Sequence, residues 1–119
     1  MARNIELGRR GEQLAADYLT AGGHRVLDRN WRCPRGELDL VTLDRGQVVA
    51  VEVKTRTSLD FGHPFEAIDR RKLERVYRLG WAWCAAHERA GAAVRVDAVA
   101  VVLGRRGERA VIEHLEGVR

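Results

Sequence analysis

Asp39, Glu52 and Lys54 are the residues whose types and spacing could do chemistry together. Asp39 stands in Gly36-Glu37-Leu38-Asp39-Leu40, and the other two stand in Val51-Glu52-Val53-Lys54. If both segments are strands, alternation puts Glu52 and Lys54 on one face, and Leu38 and Leu40 leave Asp39 on the face opposite their own. Neighbouring hairpin strands would then gather two carboxylates and an ammonium. Burying these in a valine-rich strand pair costs roughly several kcal/mol unless they pair with each other or bind a cation. An oxygen-rich set suits Mg²⁺, which takes one or two carboxylates and keeps waters for a substrate phosphate. Asp39, Glu52 and the carbonyl of Val53 would supply its ligands, while Lys54 orients or deprotonates the attacking water and offsets charge developing on phosphorus. The reaction would be phosphodiester hydrolysis. The competing reading is a cross-strand salt bridge on a solvated sheet face.

The elements that must position these residues follow from periodicity. Leu7, Gly11, Leu14, Ala15, Tyr18 and Leu19 recur at helical spacing between a capping Asn4 and the stop at Gly22-Gly23, which predicts a helix over 5–21. Glu12 falls at the edge of its apolar stripe, where a carboxylate could reach over a sheet or be an ordinary boundary glutamate. Strands are expected over 26–31, 37–43 and 47–55, joined by Cys33-Pro34-Arg35-Gly36 and Asp44-Arg45-Gly46 as a meander. The third strand has Val49, Val51 and Val53 on one side and Val48 and Ala50 on the other, so it belongs in the middle of a sheet. Residues 56–68 read as a loop, and Asp69 caps a second helix running to about Arg89. Its buried stripe is Leu73, Val76, Tyr77, Gly80, Trp83, Cys84 and His87. Strands over 94–103 and 110–115 complete the order α-β-β-β-α-β with one appended strand. The fold class is α/β, a mixed sheet flanked by two helices in a single domain over 1–119.

Composition narrows the function. The chain has 119 residues, with 21 Lys+Arg against 17 Asp+Glu and a formal charge of +4. Its length supports one core without disulfides or structural metal. The cysteines, Cys33 and Cys84, lack ligand or redox spacing and read as reduced thiols. No apolar run approaches a membrane span and no secretory pattern opens the chain, so a cytoplasmic protein is expected. Basic residues cluster at Arg9-Arg10, at Arg29, Arg32 and Arg35, at Arg70, Arg71, Lys72, Arg75 and Arg78, and at Arg105, Arg106 and Arg109. Such clusters could follow a phosphate backbone or form a solvated face. All cations but Lys54 and Lys72 are Arg, which holds its proton near neutral pH, whereas a partly buried Lys can lose it.

Gly11-Glu12, Asn30-Trp31-Arg32, Gly36-Glu37-Leu38-Asp39-Leu40, Val51-Glu52-Val53-Lys54-Thr55-Arg56, Phe61-Gly62 and Lys72 together resemble the YraN family. That widespread bacterial group is similar to archaeal Holliday junction resolvases within the PD-(D/E)xK nuclease superfamily. The resemblance spans nearly the whole chain and implies a restriction-endonuclease-like αβββαβ core. It further implies catalytic Asp39, Glu52 and Lys54, assisted by Glu12, with Mg²⁺ or Mn²⁺ as cofactor. Leu38 stands where the superfamily name has proline, leaving the acidic ligand in place. Lys72 resembles the family's lysine at the start of the second helix, which could touch phosphate.

Nucleic acid, DNA in the first instance and branched DNA in particular, is the expected partner. Arg32, Arg35, Arg56, Arg70, Arg71, Lys72 and Arg75 are the candidate contacts, with Thr55 beside them. A homodimer would suit paired cuts in a symmetric junction. The rival expectation is a non-catalytic accessory protein that binds nucleic acid on a nuclease scaffold. Glu37 is either a neighbour supporting the metal ligands or a turn-flanking surface residue. Arg95 and Asp97 are expected to form a structural ion pair, and His63 to be a solvated loop residue. Trp81 and Trp83 are expected in the core, and Trp31 is open between packing and stacking on bases.

Overall fold

The run from Val48 to Val53 needs apolar partners on both of its faces, and the architecture supplies them. In the computed structural model, which describes residues 2–105 and 107–119, a five-stranded sheet lies between two helices. Helix α1 spans Ala2–Ala21. Strands β1 (Arg25–Cys33), β2 (Gly36–Asp44) and β3 (Gln47–Arg56) form an antiparallel meander. Helix α2 (Arg70–Ala86) then carries the chain over to β4 (Val94–Val102), parallel to β3, and β5 (Val111–Leu115) returns antiparallel to β4. The sheet order is β1-β2-β3-β4-β5, which leaves β3 in the middle. Ala15, Ala16 and Leu19 of α1 pack on Val49, Val51 and Val53, while Val76, Leu79 and Trp83 of α2 pack on Val48 and Ala50. No helix of the described residues is long and apolar enough to cross a membrane.

Several boundaries differ from the sequence expectation. Helix α1 starts at Ala2, so Asn4 is inside it and does not occupy the cap position; its side chain lies outside the described residues. Asp69 does cap α2, accepting from Lys72 N at 2.8 Å. That helix stops at Ala86, ahead of Arg89, because Glu88 adopts a positive φ of 58° and Arg89 N returns to Cys84 O. Residues 64–67 of the expected loop make a 3-10 turn capped by His63, whose ring accepts from Phe65 N and sits 3.1 Å from Glu113, so His63 is a structural residue. Trp81 is 57% exposed, contrary to its expected place in the core, since α2 turns its neighbours Leu79, Gly80 and Trp83 inward. Tyr18 and His87 also leave the buried stripes: Tyr18 sets its ring edge against His114, and His87 stacks on Trp83 from the outside. Trp31 packs against the α2 side. Arg106 of the last basic cluster lies outside the described residues.

Both helices approach the sheet through a glycine. A Cβ on Gly80 would stand 3.0 Å from Val94 and 3.4 Å from Ala50, and one on Gly11 would stand 1.8 Å from Thr55 Oγ1 and 2.8 Å from Thr55 Cβ. The Gly11 contact fixes how closely the residue after it, Glu12, is held over β3. Gly11→Ala is therefore expected to destabilise the protein by about 1–3 kcal/mol through overpacking, although alanine is the better helix former. Urea unfolding measures this, with partial recovery in Gly11→Ala/Thr55→Ala; a single variant as stable as the parent would show that α1 does not rest on Thr55.

Candidate active site

The β2–β3 ladder runs from Asp44 opposite Gln47 up to Leu40 opposite Val51 and stops there. Beyond that point β3 continues in register with β4 alone, from Glu52 opposite Ala98 to Arg56 opposite Val102. The strands part, and Asp39 fills the gap. Its Oδ2 accepts the N–H of Val53 at 2.9 Å, taking the place of the missing ladder carbonyl. Because a strand residue's N–H and C=O point to the same side, the Val53 carbonyl is aimed into the same gap.

The parting also breaks alternation. Leu38 packs on the α2 side and Leu40 on the α1 side, although they are two residues apart. The expectation that both share one face opposite Asp39 is thus corrected: the chain is rearranged at Asp39. Across from it in β1, Asn30 adopts a left-handed φ of 50°. With its nitrogen turned toward the carboxylates, the Asn30 amide donates to Glu12 Oε1 at 2.9 Å and Glu37 Oε1 at 3.2 Å. Glu37 also meets Arg32 Nε at 3.2 Å. Glu12 from α1, Asp39 from β2 and Glu52 from β3 are close enough to repel one another, and Lys54 Nζ lies 3.3 Å from Glu52 Oε1.

The electrostatics are those of crowded acids. Burial pushes Asp39 from the ordinary aspartate value of 3.8 to about 7, helped by the neighbouring Glu52 and Glu12 charges and opposed by the Val53 N–H and Lys54. Burial and Glu37 likewise raise Glu12. Burial alone would lower Lys54, but the Glu52 and Asp39 charges favour its ammonium and it is raised. Lys72, from the first turn of α2, is lowered by its closeness to Lys54 and by desolvation, while the Glu52 charge opposes this. Those shared charges place Lys72 beside this cluster.

Around it, a cleft of about 310 Å³ is lined by Leu7, Gly8, Glu12 and the stretch Val53 to Arg56. A second cleft of about 700 Å³ runs along α2 past Arg71, Lys72, Arg75 and Arg78. Arg70, Arg71 and Arg75 are exposed on that helix, Arg35 is exposed in the β1–β2 turn, and Arg56 is half-buried with Nη1 on Thr55 O at 3.2 Å. The site thus joins Glu12, Asp39, Glu52, Lys54 and Lys72. Arg32 and Arg35 stand on the hairpin beside it.

Sequence reasoning quoted Asn30 only within the family resemblance and gave it no role in the site, although an Asn in a strand pattern is able to take a positive φ. It missed a second polar cluster, centred on Asp97 in β4, which is in register with Val51 of β3. There, Asp97, which is 0% exposed, receives Arg95 Nε at 2.9 Å and Nη2 at 3.0 Å, His114 Nε2 at 2.7 Å and Gly117 N at 3.0 Å. The expected Arg95–Asp97 ion pair is present, and Asp44 joins it at 2.9 Å. Burial lowers the nearby His24, keeping its ring neutral, although Asp44 and Asp97 favour the cation.

The raised Asp39 has a consequence for stability without metal. The folded state holds this proton more tightly than the unfolded chain, so stability falls as pH rises from about 4 to about 7, and the full penalty applies above 7. Asp39→Asn keeps an acceptor for Val53 N–H and removes the charge. In EDTA at pH 8 it is expected to be about 1–3 kcal/mol more stable than the parent, with the difference vanishing toward pH 4. Denaturant unfolding at both pH values checks this, and equal stability at pH 8 would refute the crowding.

The sequence profile described as "Uncharacterised protein family UPF0102" matches residues 11–101, which include every residue of the acidic cluster. Similar proteins carry the same name. A UPF0102 protein of Arthrobacter sp. (strain FB24) is 55% identical over 112 residues, covering 94% of each chain. One from Renibacterium salmoninarum is 49% identical over 118 residues, covering 99% of each. Another, from Mycobacterium bovis (strain BCG / Pasteur 1173P2), is 45% identical over 118 residues, covering 96% of this chain and 92% of the relative.

Proposed function

This chain belongs to the UPF0102 family, and for it we propose a divalent-metal-dependent endonuclease that hydrolyses phosphodiester bonds in DNA, branched DNA foremost. The observation that carries the reading is the Asp39 carboxyl, seated where β2 and β3 part, facing Glu52 and Glu12 and raised to about 7. A fold tolerates such mutual repulsion where a cation relieves it. The resemblance to the YraN family and the PD-(D/E)xK nucleases points the same way.

Hard oxygen donors in a gap open to solvent fit Mg²⁺ or Mn²⁺, and Asp39, Glu52 and the Val53 carbonyl would hold the ion. When bound, the ion supplies Lewis-acid polarisation of the phosphate and a more acidic water. The chain's own groups do the rest. Lys54, whose ammonium the Glu52 and Asp39 charges favour, would act by charge stabilisation at the phosphate and orientation of the attacking water, in preference to removing a proton. Glu52 holds the Lys54 Nζ in place at 3.3 Å. Asn30 ties Glu12 to Glu37 and fixes which way the Glu12 carboxylate faces. Arg70, Arg71 and Arg75 on α2, with Arg32 and Arg56 on the strands and Arg35 in the β1–β2 turn, would track phosphates on either side of the cut. A junction cut on both sides would need two copies related by a two-fold axis.

The test is cleavage of linear, flapped and four-way DNA in Mg²⁺, Mn²⁺ or EDTA. Cleavage is expected with metal only, lowered about 10²-fold or more in Lys54→Ala and Asp39→Asn. Arg71→Ala/Arg75→Ala is expected to weaken binding and flatten its salt dependence while leaving the metal requirement intact. Cleavage that survives in EDTA, or in both site variants, rejects the assignment. Binding without cleavage in any metal would favour an accessory protein that uses the scaffold for nucleic-acid binding alone.

A further inference from the structure

The second polar cluster lies on β4 and β5, with Asp97 in register with Val51 of β3 and His114 paired with Val99; alternation turns Asp97 to the opposite face of the sheet from Glu52, the residue after Val51. Its members come from distant parts of the chain: His24 after α1, Asp44 at the end of β2, Arg95 and Asp97 in β4 and His114 in β5. One ligand atom from each of His24, Asp97 and His114 lies within 4.8 Å of the others. We propose that His24, Asp97 and His114 form a site for a borderline transition-metal ion such as Zn²⁺, separate from the acidic site and independent of the nuclease reading.

Three features argue for an ion. Two imidazoles and a carboxylate are a donor set for Zn²⁺, Co²⁺ or Ni²⁺, whereas Mg²⁺ prefers oxygen alone. The supporting contacts are those a metal site needs. His24 Nδ1 is held by the Thr42 hydroxyl at 2.8 Å, leaving Nε2 toward the cluster, where Asp44 Oδ2 is a long 3.5 Å away. Asp97 is oriented by the Arg95 guanidinium and by Gly117 N. Charge permits an ion as well: Asp44, Asp97 and Glu116 outnumber the guanidiniums of Arg45 and Arg95 in the same network.

Access is provided by a cavity of about 730 Å³ whose walls include Tyr18, Gly22, His24, Arg45, His114 and Glu116. Binding takes the Nδ1–H tautomer of His114: the proton on Nε2 goes to solvent while Nδ1 takes one up, so that Nε2 and Asp97 Oδ2 both offer lone pairs to the ion. The bound ion would clamp the end of α1 to β4 and β5, with Asp44 or a water as fourth ligand.

The experiment titrates the chelator-treated full chain with Zn²⁺ by calorimetry and thermal melting, and with Co²⁺ by visible absorption. One ion per chain is expected outside the acidic site, with a higher Tm, and with binding at least about tenfold weaker in His24→Gln and His114→Gln. It should persist in Asp39→Asn/Glu52→Gln and under excess Mg²⁺. No binding by the parent chain, undiminished binding in both histidine variants, or loss of binding in the acidic-site variant would each overturn the proposal. If a histidine variant fails to fold, ring-nitrogen NMR of the parent chain decides: shifted His24 and His114 resonances on adding Zn²⁺ support the site, and unmoved ones refute it.

Discussion

Negative charge without enough hydrogen-bond donors, held where two strands separate, is the constraint around which this protein is arranged. Asp39 closes the gap left by the broken β2–β3 ladder by accepting one N–H, and the same position brings it against Glu52 and Glu12. The repulsion is partly relieved by Lys54 and by the Asn30 amide on Glu12. A carboxyl that keeps its proton to about pH 7 is the consequence of that crowding and burial.

The scaffold explains why this arrangement survives. Strand β3 is apolar on both faces up to Val51, and each helix covers one face through a close glycine contact, Gly11 on Thr55 and Gly80 on Ala50 and Val94. Packing of that kind leaves little freedom for the sheet to relax away from buried charge. The polar groups are accordingly gathered into two clusters on the two sides of the sheet. One is acidic with lysines. The other is a fully partnered network around Asp97, in which each carboxylate oxygen receives two donors. Both are tied to α1, the first through Glu12 and the second through Tyr18 and the turn at His24.

Local pattern was enough for much of the architecture. The order of helices and strands, the central place of β3 and the sharing of Val49, Val51 and Val53 against Val48 and Ala50 all follow from periods of 3.6 and 2. The pattern misled where a residue answers to a neighbour far along the chain. Trp81 stands two residues before Trp83, about 200° round the helix from it, so it faces away from the sheet, and His63 reads as a solvated loop residue until the 3-10 turn and Glu113 are in place.

For the candidate sites the division has the same cause. By itself, the sequence determined that Asp39, Glu52 and Lys54 lie on adjacent strands, because side-chain alternation and a short turn are local properties. Tertiary structure alone decided that the strands part at Asp39, that Lys72 comes close to Lys54, and that His24, Asp97 and His114 meet. Each of these depends on helices crossing a twisted sheet at a particular distance, and that distance is set by packing between residues tens of positions apart.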